Sequence, residues 1–119
     1  MRILIVEDEY LIALEIEMIL EDLGHEIVGI ADNLAEARAL AESLVPDLVT
    51  IDLRLRHGEG GDDLARELLQ RHGLRALFIS GNLDAATRKR LNALRPHGFL
   101  DKPLSGPLLA KALELVDLA

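Results

Sequence analysis

The chain of 119 residues contains no cysteine, which excludes disulfides and thiolate metal sites. Aromatic residues make up only 3% of it, so a core must be built from Leu, Ile, Val and Ala. Basic residues are outnumbered, 13 Lys and Arg against 21 Asp and Glu, for a net charge of −8. Binding a phosphate backbone requires clustered Lys and Arg, so no direct nucleic-acid contact is expected. No apolar run approaches the roughly 20 residues that span a bilayer. The N-terminus enters Ile3-Leu4-Ile5-Val6 without a basic leader or a small-residue cleavage site. A soluble cytoplasmic protein with no membrane partner is the expectation. There is no repeat, low-complexity tract or linker, and the length suits one domain over residues 1–119.

What is present is an alternation. Short Leu-rich or β-branched runs at 2–6, 26–30, 47–51, 76–80 and 98–100 are separated by stretches with helical spacing. Over 10–23, Ile12, Ile16, Ile19 and Leu23 fall on one face, and Gly24 supplies a stop. Asn33 with Glu36 three residues later reads as an N-cap and capping-box partner, opening a helix along Leu34, Ala37, Leu40, Ala41 and Leu44. A third helix is predicted over 62–72, stopped by Gly73, and a fourth from Asp84 to about 94, stopped by Pro96. Ser105 and Pro107 open a fifth, with Leu108, Leu109, Ala112 and Leu115 predicted to face inward.

Strictly alternating strand and helix imply a parallel sheet covered by helices on both faces, because parallel crossovers are right-handed. The strands are continuous apolar runs, as double-sided burial requires. The fold class is therefore α/β, a doubly wound five-stranded sheet with five helices, in the order 2-1-3-4-5. That order places the ligand crevice between the first and third strands.

Ligands in such a sheet bind beyond the carboxyl ends of the strands. The first strand ends in Glu7-Asp8, the third in Asp52 and the fourth in Ser80, and the fifth gives way to Asp101-Lys102-Pro103. Close carboxylates repel and require a cation or a proton. All-oxygen ligation with few protein ligands points to Mg²⁺ rather than Ca²⁺. The turn Glu7-Asp8-Glu9 is acidic where a nucleotide or flavin site would place glycines, which counts against a dinucleotide or FMN. A carboxylate can serve as a nucleophile toward phosphorus, and the protein then needs only to position the group and neutralise its oxygens. Asp52 is the natural acceptor, Lys102 its point-charge partner and Ser80 a hydroxyl donor.

Four segments, Val6-Glu7-Asp8-Glu9, Leu48-Val49-Thr50-Ile51-Asp52-Leu53, Phe78-Ile79-Ser80-Gly81 and Phe99-Leu100-Asp101-Lys102-Pro103, resemble in order and spacing the receiver domain of two-component response regulators, the CheY-like family. The resemblance covers the whole chain. It implies that Asp52 accepts phosphate from a histidine kinase or histidine phosphotransfer protein. It also implies that Asp8 and Asp52 ligate Mg²⁺, Glu7 contributes through water, and the backbone carbonyl of Arg54 completes the protein ligands. Lys102 would contact the phosphoryl oxygens, and its bond to Pro103 would be cis. Ser80 and Phe99 would act as the switch pair, remodelling the fourth helix, fifth strand and fifth helix for a downstream protein.

This sequence departs from the family at Arg56, where Pro is common, in a Gly-rich and basic segment from Arg54 to Gly61. The first helix and Asp52-Leu53-Arg54-Leu55 are similar to stand-alone receivers of the alphaproteobacterial type. Other readings stand beside these. Phe99 alone fits a core aromatic, Arg88-Lys89-Arg90 a solvated helix face, Ser80 a strand end, and Lys102 a partner for Asp101. The histidines at 25, 57, 72 and 97 show no ligand spacing. With no separate substrate, the protein is not expected to be an enzyme. The alternatives are a receiver cut from a longer transcription regulator, a degenerate scaffold, or a phosphatase with an aspartyl intermediate. The last usually has a D-x-D pattern after the first strand.

Overall fold

The computed structural model describes residues 1–55 and 58–117. Strand β1 (Arg2–Val6) is followed by α1 (Tyr10–Asp22), β2 (Glu26–Ala31), α2 (Leu34–Leu44), β3 (Leu48–Ile51) and α3 (Gly61–His72). Then come β4 (Ala76–Ser80), α4 (Ala85–Leu91), a 3₁₀ turn (Asn92–Leu94), β5 (Gly98–Asp101) and α5 (Gly106–Asp117). All pairings are parallel, in the order β2-β1-β3-β4-β5, as the alternation predicted. Alternate strand residues feed two cores. Leu4, Val6, Val49, Ile51 and Phe78 pack with α2, α3 and α4. Ile3, Ile5, Leu48, Leu77 and Ile79 pack with α1 and α5 on the other face.

The predicted caps form. Asn33 Oδ1 accepts from Glu36 N–H, Asp84 Oδ1 from Thr87 N–H, and Ser105 Oγ from Leu108 N–H. Gly24 and Gly73 follow their helices at φ +92° and +63°, where a side chain would be strained.

Three details differ. In α5 the buried residues are Leu109, Leu113 and Val116, while Leu108 and Leu115 are 57% and 58% exposed. The predicted stripe and the observed one share Leu109 and Ala112, and docking on the sheet turned the buried face toward Leu113 and Val116. In α1 the buried line is Ala13, Ile16 and Leu20; Ile12 and Ile19 flank it and Leu23 lies outside it. The fourth helix tightens into the 3₁₀ turn at Asn92 instead of continuing to 94, as often happens at a helix end.

Candidate functional site

The order β2-β1-β3 makes β1 and β3 neighbours, with Val6 beside Ile51. The next residues, Glu7 and Asp52, therefore leave the sheet side by side; Glu7 N–H bonds Ala31 O and Asp52 N–H bonds Val6 O. Glu7, Asp8 and Asp52 each present a carboxylate oxygen, all within 4.8 Å of one another. Glu7 and Asp52 are buried and Asp8 is half-buried.

Lys102 closes the group from beyond β5. Its Nζ lies 2.9 Å from Asp52 Oδ2 and 3.0 Å from Glu7 Oε2. Its backbone N–H bonds Ser80 O, joining the ends of β4 and β5, and the Lys102–Pro103 bond is cis. Asp101 pairs instead with Arg88, at 2.8 Å, which removes the reading of Lys102 as its partner.

One ammonium cannot neutralise two buried carboxylates. Burial, helped by the charge of Asp52, pushes Glu7 up from 4.5 to about 7, although the Lys102 hydrogen bond and charge and the Glu9 N–H pull the other way. Burial works against the Lys102 ammonium too, but its hydrogen bonds to Asp52 and Glu7, with their charges, more than offset that and hold it above its ordinary value. A rim that strains to hold its negative charge, made only of oxygen donors, fits a small hard cation.

The segment after Asp52 is a narrow hairpin. Leu55 N–H bonds Glu59 O and Gly61 N–H bonds Leu53 O, so Arg54 and Gly60 face each other as an antiparallel pair without bonds between them. In such a pair a residue's own N–H and C=O both point away from its partner. The Arg54 N–H reaches Asp52 Oδ1 at 3.3 Å, so the Arg54 carbonyl lies on the side of the acidic rim. Gly61 lets the hairpin close, because a Cβ there would clash with Asp52 O and Ile51 Cγ2. Arg56 and His57 lie outside the described residues.

Ser80 is fully buried at the end of β4, its Oγ accepting from Asn82 N–H at 3.3 Å. Phe99 is half-buried on β5, stacked on Phe78 at 5.9 Å. The Arg88 guanidinium lies 5.4 Å above the Phe99 ring and donates to Leu83 O and Asp101 Oδ2, while Arg90 bonds Asp62 on α3. Two members of the basic run on α4 are thus engaged rather than simply solvated. Sequence reasoning also missed Glu59, whose carboxylate accepts from Leu34 N–H at the start of α2. No local pattern signals that contact across 25 residues.

A family model described as the response regulator receiver domain matches residues 3–114. The phyllosphere-induced regulator PhyR of Methylorubrum extorquens is 40% identical over 80 residues, covering 66% of this chain and 30% of that protein. The transcriptional regulatory protein PdtaR of Mycobacterium tuberculosis is 33% identical over 114 residues, covering 96% of this chain and 55% of that protein. The chain thus spans about half or less of these curated relatives. Among solved structures, the signal receiver domain of a modulated diguanylate cyclase from Desulfovibrio desulfuricans superposes with a TM-score of 0.85 at 33% identity, covering 96% of this chain and 90% of that one. With the strand order, the acidic rim and the family match in agreement, the chain belongs to the response regulator receiver domains of phosphorelay signalling.

Proposed function

We propose that Asp52 is the phosphoacceptor of this receiver, charged by a phosphohistidine on a histidine kinase or histidine phosphotransfer protein. The observation that carries this reading is the placement of Asp52, buried at the end of the central strand, 2.9 Å from Lys102 and within the acidic group. An Asp52 oxygen attacks phosphorus as the phosphorus–nitrogen bond breaks, and the donor imidazole leaves with the bonding pair and takes up a proton. Lys102 moves its contact from the Asp52 carboxylate to the phosphoryl oxygens, where negative charge accumulates.

Glu7, Asp8, Asp52 and the Arg54 carbonyl would hold Mg²⁺, Glu7 through water; the ion would supply charge neutralisation at the transferred group. Ser80, on the adjacent strand end, would turn its hydroxyl to a phosphoryl oxygen, and Phe99 would move with it. Changes in α4, β5 and α5 then form the surface that a downstream protein reads. The chain has no second substrate in this scheme and acts as a switch rather than an enzyme. Its role within a longer regulator, as in the relatives of which it spans only part, fits the same site.

The test is labelling with acetyl phosphate and Mg²⁺. The parent is expected to gain one base-labile phosphate and Asp52→Asn none. Equal labelling of the two proteins would place the acceptor elsewhere.

A further inference from the structure

The hairpin that carries Arg54 is held at three points. Leu53 and Leu55 are buried in the core, Gly61 is pressed against the Asp52 carbonyl, and Glu59 Oε1 accepts from Leu34 N–H at 3.0 Å. The third is the polar tie to a different layer of the fold. Glu59 sits across the hairpin from Leu55, whose N–H its carbonyl accepts, one residue before the Gly60 that opposes Arg54. At the α2 N-terminus Asn33 caps Glu36 N–H, and Glu59 satisfies a different free donor, the N–H of Leu34. The Glu59 contact thereby links α2 to the strand of the hairpin that opposes Arg54.

We infer that Glu59 is a positioning residue for the divalent-cation site: by tying the β3–α3 hairpin to the first N–H of α2, it holds the Arg54 carbonyl in ligating position and raises metal affinity. This rests on the proposed reading of the acidic rim as the Mg²⁺ and phosphoryl site. Glu59 acts through geometry and not through its charge. A glutamine, whose side-chain oxygen still accepts from Leu34 N–H, therefore keeps the tie, and an alanine loses it. Outer-shell partners of metal ligands typically change affinity by about 10–100-fold when removed. One backbone oxygen held by one hydrogen bond belongs at the lower end.

Mg²⁺ binding to the full chain is measured by calorimetry, and acetyl phosphate labelling is followed as Mg²⁺ is varied. In Glu59→Ala the Mg²⁺ dissociation constant and the half-saturating Mg²⁺ for labelling are expected to rise together by about tenfold, while high Mg²⁺ recovers the labelling plateau. Glu59→Gln is expected to stay within about twofold of the parent in both. Parent-like affinity in Glu59→Ala overturns the inference. So does a loss in Glu59→Gln as large as in Glu59→Ala, which would make the charge the active feature. A fallen plateau that Mg²⁺ does not restore would indicate general damage to the site and also overturns it. If the parent itself takes no phosphate on Asp52, the phosphoacceptor reading falls, and the calorimetry still decides the role of Glu59.

Discussion

Replacing Glu7 with glutamine should stabilise the metal-free protein, and by an amount that depends on pH. Glu7 is 2% exposed, and burial beside Asp52 raises it from 4.5 to about 7 in the fold. Its folded form therefore binds a proton more tightly than its unfolded form. Between pH 4.5 and 7 the unfolded chain has released that proton while the folded chain retains it, so stability falls as pH rises through this window and levels off above about 7. At about 1.4 kcal/mol per pH unit, the loss is on the order of 3 kcal/mol, roughly a hundredfold in the folding equilibrium.

Glutamine carries no charge to desolvate and can still accept from Lys102. Glu7→Gln should therefore match the parent near pH 4.5 and exceed it by about 3 kcal/mol at pH 8, a shift of about 1–2 M in the urea midpoint. The measurement is urea unfolding of both proteins with a chelator across that range. Taking the difference matters, because other groups titrate too. Burial and the charge of Arg75 lower His97, hydrogen bonding to Arg38 lowers Glu67, and bonding to Thr87 lowers Asp84; all three are common to both proteins and cancel. Saturating Mg²⁺ should narrow the gap by stabilising the parent. A difference that does not change with pH, or a variant less stable than the parent at pH 8, would refute the reasoning.

Two further outcomes follow from packing around Asp52. Gly61→Ala should destabilise the protein by about 2–4 kcal/mol, since the new methyl group would meet Asp52 O and Ile51 Cγ2 well inside contact distance; an unchanged urea midpoint would show that the hairpin yields freely. Thr50 is buried in the middle of β3, and its Oγ1 has no hydrogen-bond partner among the described residues, so Thr50→Val should stabilise by about 1 kcal/mol. Thermal unfolding checks this, and a lowered midpoint would mean that the hydroxyl is satisfied.

Much of the site could be read from the sequence because strand ends are local features. A continuous apolar run followed by Glu7-Asp8, or by Asp52, announces where the chain leaves a doubly covered sheet, and the alternation of elements fixes that these ends share one rim. Helix starts were legible for the same reason: Asn33, Asp84 and Ser105 each bond an N–H three residues ahead. Helix faces were less so. In α5, leucines at 108, 109, 113 and 115 offer two overlapping stripes, and packing into the cluster that holds Ile3, Ile5 and Leu100 decides that Leu109 and Leu113 go inside.

The succession of strands and helices along the chain, the caps, and the residue types at the carboxyl ends all follow from local sequence. Each of these rests on interactions within a few residues or on a period that the chain carries wherever it folds. Which charges meet was set by packing between distant elements. Lys102 could have paired with its neighbour Asp101; the packing of β5 against β4 instead carries it to Asp52 and Glu7, 50 and 95 residues away, and leaves Asp101 to Arg88. The tie from Glu59 to Leu34 and the closeness of Gly61 to Asp52 arise in the same way. Such contacts depend on the relative heights of separate elements over the sheet, which no local pattern encodes.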